Sequence, residues 1–186
     1  MRLLNKPFLY LVTVLLLSSL SCNSPDNGEA TAAATHAAPY FSLADYFGRE
    51  AARLQQINPE IEKTVSKNGD EEQKKIRVAN WNEEFSLFID ADINKPAWLN
   101  SYQVDSTGTS ITYTSTDSTL RTKAIRLEKS ETGAVTHIRV TNRVDNMLYQ
   151  TDEQLDYYVD SLYRIIKVQQ VRILGKSHYT VTGEWL

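Results

Sequence analysis

The chain has one cysteine, Cys22, among its 186 residues, so no internal disulfide can staple the fold. Its three histidines, His36, His137 and His178, are too few and too scattered for a metal cluster. There is no Gly-x-Ser-x-Gly elbow, no His-Glu-x-x-His pair and no glycine-rich phosphate loop. Those absences remove the usual sequence signatures of serine hydrolases, zinc proteases and nucleotide binders. Positive charge is not in excess either: 20 Lys and Arg stand against 23 Asp and Glu. A nucleic-acid binder carries a basic stripe, so nucleic acid is not expected as a partner. The apolar run near the start stops short of the ~20 residues that a spanning helix needs.

What is present begins at the N-terminus. Arg2 and Lys6 precede a nearly pure apolar stretch, Phe8 to Leu17, and Ser18-Ser19-Leu20-Ser21-Cys22 follows. A basic head, an apolar centre and a small-residue exit are the layout of a secretory signal peptide. Ser19, Leu20 and Ser21 ahead of Cys22 resemble the lipobox of bacterial lipoproteins, with the usual −3 and −2 residue types exchanged. The resemblance implies removal of residues 1–21 and attachment of lipid to Cys22, which would anchor the chain to a membrane. Thioether formation would also account for a lone thiol outside the cytoplasm. One acyl chain binds only reversibly, at roughly 0.8 kcal/mol per buried CH₂, whereas the bacterial modification implies several. A plain cleaved signal ending by chance on cysteine, and a retained anchor, are the competing readings. Asn23 stands where an Asp favours inner-membrane retention in enterobacterial lipoproteins, so the likeness points to the outer membrane. Asp26 and Glu29 resemble the acidic surface-export signals of Bacteroidota lipoproteins.

Residues 1–21 hold two basic residues and no acidic ones, so the remainder carries a net charge of −5. Residues 22–39 contain no large apolar side chain. Such a segment cannot offset its ordering entropy and is expected to be a flexible linker reaching roughly 20–25 Å. Residues 40–186 are expected to form a single globular domain.

The Ser42-Leu43-Ala44-Asp45 segment has capping-box spacing. Leu43, Tyr46/Phe47, Glu50/Ala51, Leu54 and Ile57 then recur at helical intervals until Pro59 ends the run. A hairpin is predicted from 61–67 and 73–79 around Asn68-Gly69, which suits a type I′ turn and would set Ile61 opposite Ile76 and Glu62 opposite Lys75. A second helix over 80–91 would put Trp81, Phe85, Phe88 and Ile89 on one face. From Tyr102 the period becomes two. Strands are predicted at 99–105, 109–116, 122–130, 134–143, 146–151, 155–160, 162–174 and 177–185, with a short helix over 153–162 as the alternative there. The expected fold is α+β: two helices packed on a large twisted antiparallel β-meander, half-barrel-like.

Asp90, Asp92 and Asn94 match the first half of a calcium loop, but Lys95 and Ser101 stand where the turn glycine and bidentate glutamate belong. No metal site is expected. His137 alternates against Ile138 and Val140 and is read as solvent-facing. Pairs such as Glu83/Glu84 and Asp156/Asp160 are read as solvated faces. Lys74, Lys75 and Arg77 face Asp70, Glu71 and Glu72 as a solvated hairpin. No catalytic residue and no cofactor is expected. The most suggestive set is aromatic: Tyr149, Tyr157, Tyr158, Tyr163, Tyr179 and Trp185 crowd the last 40 residues. Tyrosine lines both binding grooves and sheet cores, so this set is the candidate ligand or partner face, with core packing the favoured alternative.

The signal, Cys22, the polar linker and the segment from Phe88 to Trp98 together resemble small envelope lipoproteins of Bacteroidota. That likeness implies a location rather than an activity. The expectation is a non-enzymatic, lipid-anchored outer-membrane lipoprotein acting as a protein-interaction module. The alternative is a carrier of lipid or another apolar ligand within a curved sheet.

Overall fold

The computed structural model describes residues 39–186. The expected signal peptide, Cys22 and almost all of the linker lie outside the described residues.

Helix α1 spans Leu43–Ile57. The Ser42 side chain accepts from the Asp45 amide at 3.0 Å, the cap that the sequence announces. Leu43, Phe47, Ala51 and Leu54 are its buried face. Asn58 closes the helix in the left-handed region (φ 45°), donating its amide to the Leu54 carbonyl at 2.8 Å, and Pro59 follows. Strands β1 (Glu60–Lys67) and β2 (Asp70–Arg77) form the expected hairpin. Asn68 and Gly69 have φ of 54° and 99°, and the register sets Ile61 against Ile76 and Glu62 against Lys75. β2 starts three residues earlier than the sequence pattern predicts, because the two-residue turn pairs Lys67 directly with Asp70.

The second helix is two short ones, α2 (Trp81–Glu84) and α3 (Ser86–Asp90), parted at Phe85. Phe85 has φ −94° and ψ 8°, outside the helical basin. The break leaves Trp81, Phe85 and Phe88 all fully buried. Asp92 then clamps the start of α1. Its carboxylate accepts from the Ala44 amide at 2.8 Å, the Ser42 hydroxyl at 3.0 Å and the Asn94 amide at 2.7 Å. The half-matched calcium pattern is thus a helix-capping device, satisfying amides that α1 leaves open.

Seven strands complete the sheet: β3 (Tyr102–Thr107), β4 (Ser110–Ser115), β5 (Thr122–Lys129), β6 (Val135–Asp145), β7 (Tyr149–Tyr158), β8 (Leu162–Val171) and β9 (Gly175–Trp185). They follow one another as an antiparallel meander, and β1 and β2 add beyond β9. The result is one open nine-stranded antiparallel sheet with three short helices against it, an α+β fold. The segments predicted as 146–151 and 155–160 are one continuous strand, β7, paired along its length with both β6 and β8. No helix forms over 153–162. The alternation of Leu155 and Tyr157 simply continues through Glu153 and Thr151, whose polarity hides it in the sequence.

The core lies between the helices and one sheet face. Ile125, Leu127, Ile138, Val140, Leu155, Tyr157 and Tyr163 meet Phe47, Trp81, Phe85 and Phe88. The rings pack edge to face, Phe47 against Tyr157 at 5.2 Å and Phe85 against Tyr163 at 5.9 Å between centroids.

Candidate functional site

The core-side face of the sheet changes character along its strands. Going down β6, Val140 is followed on the same face by Asn142 and Val144. Going down β7, Leu155 is followed by Glu153, Thr151 and Tyr149, and Lys167 and Gln169 are their neighbours on β8. Beyond Val140 and Leu155, which stay in the core, these residues line an open cleft of about 220 Å³ together with Arg121 and Arg143. A second cleft of about 690 Å³ adjoins it, sharing Arg121, Arg143 and Val144 and running toward Asp117 and Lys123.

Glu153 is the buried charge of this site. Its Oε2 accepts from Arg121 Nη2 at 2.8 Å and from the Asn142 amide at 2.9 Å. A buried carboxylate is tolerated when it is paired and hydrogen-bonded in this way. Asn142 is itself buried, and its Oδ1 has no hydrogen-bond partner. Lys167 stands across from Glu153 but forms no ion pair within 4.0 Å among the described residues. The cleft therefore offers an ammonium, an amide and hydroxyls beside a carboxylate that is already engaged. This is equipment for polar contact.

The strand ends below the cleft carry the largest apolar exposure in the described chain. Met147 and Leu148 form the tip between β6 and β7, and Ile173 and Leu174 the tip between β8 and β9. They are 78%, 72%, 94% and 85% exposed. The two tips are neighbours, since Tyr149 pairs with Val171 and the Arg172 amide donates to the Leu148 carbonyl at 3.2 Å. Asn146 shapes the first tip by accepting from the Leu148 and Tyr149 amides at 2.9 and 3.0 Å. Gly175, with φ 85°, closes the second. The sequence pattern places all four apolar residues inside strands, with turns at 145–146 and 175–176. The turns are there, but each loop reaches two or three residues into the apolar run. Only the Asn and Gly signals beside those runs could have exposed them.

A third polar cluster sits on the opposite face. His137 Nε2 lies 2.9 Å from Asp156 Oδ1, which also accepts from Arg139 Nε at 2.7 Å. Gln154 donates to the other Asp156 oxygen at 2.7 Å. Burial pushes the Asp156 carboxyl up, but the hydrogen bonds from Gln154, Arg139 and His137 outweigh it and hold it below the usual carboxylate range. The second ring nitrogen of His137 faces Glu128 at 3.6 Å, and the ring stacks on Tyr158 at 4.1 Å. His137 is buried rather than solvent-facing, because its cross-strand neighbours Glu128 and Tyr158 close over it. Nε2 is thus engaged by Asp156, while Nδ1 faces Glu128 beyond hydrogen-bond distance.

The six aromatic residues singled out from the sequence do not form one face. Tyr157 and Tyr163 are fully buried in the core, donating their hydroxyls to Glu50 and Glu84. Trp185 stacks on Trp81 at 5.8 Å, at the margin of that core. Tyr158 lies on the far side over His137, and Tyr179 lies under the Lys67 ammonium, 5.5 Å from its ring centre. Of the six, Tyr149 alone lines the cleft. The chain matches no protein-family model, no curated protein and no solved structure.

Proposed function

We propose that this chain is a non-enzymatic, lipid-anchored lipoprotein of the outer membrane, an interaction module tethered through Cys22. The observation that carries the interaction reading is the pair of adjacent apolar hairpin tips beside a charged cleft. Exposed apolar side chains gathered at one place, rimmed by polar groups, mark surfaces that meet a partner. The basic head, the apolar stretch and Cys22 support the tether. An apolar-ligand carrier draws no support from these two clefts, which are open and lined mainly by charged, hydroxyl and amide side chains.

Two measurements test this reading. Metabolic labelling with a palmitate analogue should mark the intact chain and leave a Cys22→Ala variant unmarked. A photoreactive residue at Leu148 should crosslink in cells far more strongly than one at exposed Thr141 on the uncovered face. Equal labelling of the Cys22→Ala variant refutes the tether, and equal crosslinking at both positions refutes the interaction surface.

A further inference from the structure

The partner of the apolar tips can be named by its chemistry. We infer that Met147, Leu148, Ile173 and Leu174 dock into the interfacial layer of an anionic bilayer, with Arg172 and Lys176 at headgroup level beside them. This deepens the tethered-module reading and rests on it for its setting in the cell, though not for its test.

Three observations converge. The four side chains are the tips of two adjacent hairpins, so they project together from one end of the sheet. A protruding apolar pair beside basic residues suits the bilayer boundary, where apolar groups enter and cations meet phosphate. The second observation is charge. Over 143–153 and 167–176 the hairpins carry Arg143, Lys167, Arg172 and Lys176 against Asp145, Asp152 and Glu153, and the tips themselves, 146–148 and 172–176, carry Arg172 and Lys176 and no acid. These two tips are therefore basic on a chain whose net charge is −3, which suits an anionic surface. Arg172 and Lys176 form no ion pair within 4.0 Å among the described residues. The third is reach. The 18 residues from Cys22 to Tyr40 have a contour length of about 60 Å at most, longer than the roughly 33 Å of a ten-residue strand, so length alone does not keep this end from a membrane that holds a lipid on Cys22.

The experiment uses the chain from residue 22 onward with Cys22→Ala, so that no lipid contributes. Its co-sedimentation is measured with vesicles of phosphatidylglycerol and phosphatidylethanolamine, and with vesicles of phosphatidylcholine alone. Binding to the anionic vesicles is expected, with a Leu148→Ser/Ile173→Ser variant binding about tenfold more weakly. An Arg172→Gln/Lys176→Gln variant should lose most of the preference for anionic over zwitterionic vesicles. Because all four replaced side chains are exposed, circular dichroism and Tm should be unchanged, which separates lost binding from lost folding. No sedimentation with either vesicle, or binding indifferent to the tip residues, overturns the proposal. So does a Leu148 photoprobe that captures protein rather than lipid in cells. If Cys22 proves unlipidated while the vesicles still bind, the tether reading fails and the docking surface stands.

Discussion

Tyr163 lies directly over Gly183, its cross-strand partner on β9. A β-carbon added at Gly183 would stand 2.2 Å from Tyr163 Cε1 and 2.4 Å from Cζ. The ring cannot swing clear easily, because its hydroxyl is held by Glu84 and its edge packs on Phe85 and Trp185. An aromatic ring covering a strand glycine is a known way to stabilise such a position.

Gly183→Ala should therefore behave as an overpacked core substitution, costing about 2 kcal/mol. The expected drop in Tm is roughly 5 °C. Adding Tyr163→Leu should return part of the loss from the glycine change, since the clash disappears with the ring. Thermal unfolding of the single and double variants checks this, and an unchanged Tm for Gly183→Ala would show that the ring relaxes freely.

The fold was legible where local chemistry and period agree. Ser42, Asn58-Pro59 and the spacing from Leu43 to Leu54 define α1, and Asn68-Gly69 fixes both the turn and the register of the first hairpin. It was illegible where a strand face changes partner along its length. β7 is apolar at Leu155 and Tyr157 under the helices and polar at Glu153 and Thr151 beyond them, so one strand reads as two. The same change of partner conceals the cleft, whose members are scattered over four strands and show no spacing signal. The tyrosines misled for the opposite reason: their composition is conspicuous, but burial depends on face, and alternate strand positions send Tyr157 inward and Tyr158 outward.

Tyr157 and Tyr163 should make the protein sensitive to alkali. Burial drives both phenols far above their ordinary pKa, and hydrogen bonds to Glu50 and Glu84 add to it. Burial also pushes Tyr46 and Tyr102 up to about 12. The folded state keeps protons that the unfolded state releases above pH ~10, so this contribution is intact below that pH and is lost progressively above it. Phenolate absorbance from the buried rings should then appear together with loss of near-ultraviolet circular dichroism. Full ionisation of every tyrosine near pH 10 in a protein that stays folded would contradict the buried arrangement.

Asp156 has the opposite sign. Its carboxyl is held below the usual range despite burial, so it stabilises the fold above its unfolded pKa of about 3.9 and that stabilisation fades as pH falls through the lower folded value. Asp156→Asn should cost about 3 kcal/mol at pH 7, because it leaves His137 and Arg139 around a neutral group. The gap between wild type and variant should narrow below pH ~4. Urea denaturation at several pH values reads both effects, and a gap that stays constant down to pH 2 would remove Asp156 from the acid response.

The Arg121–Glu153 pair separates surface from buried electrostatics within the cleft. The side chains are 37% and 5% exposed, so the two partners sit on opposite sides of the boundary. If the pair behaved as a surface salt bridge, Arg121→Ala would cost less than about 1 kcal/mol. Burial of Glu153 argues for more, about 3 kcal/mol, because truncating Arg121 leaves a carboxylate in a poorly solvated site with the Asn142 amide as its remaining donor. The cost belongs to the stranded charge, so Glu153→Gln in the Arg121→Ala background should recover a large part of it. Urea denaturation of the two single variants and the double closes the cycle. Recovery would show that the cleft is held open by a compensated charge, whereas additive losses would mean that Arg121 acts through packing of its aliphatic stem.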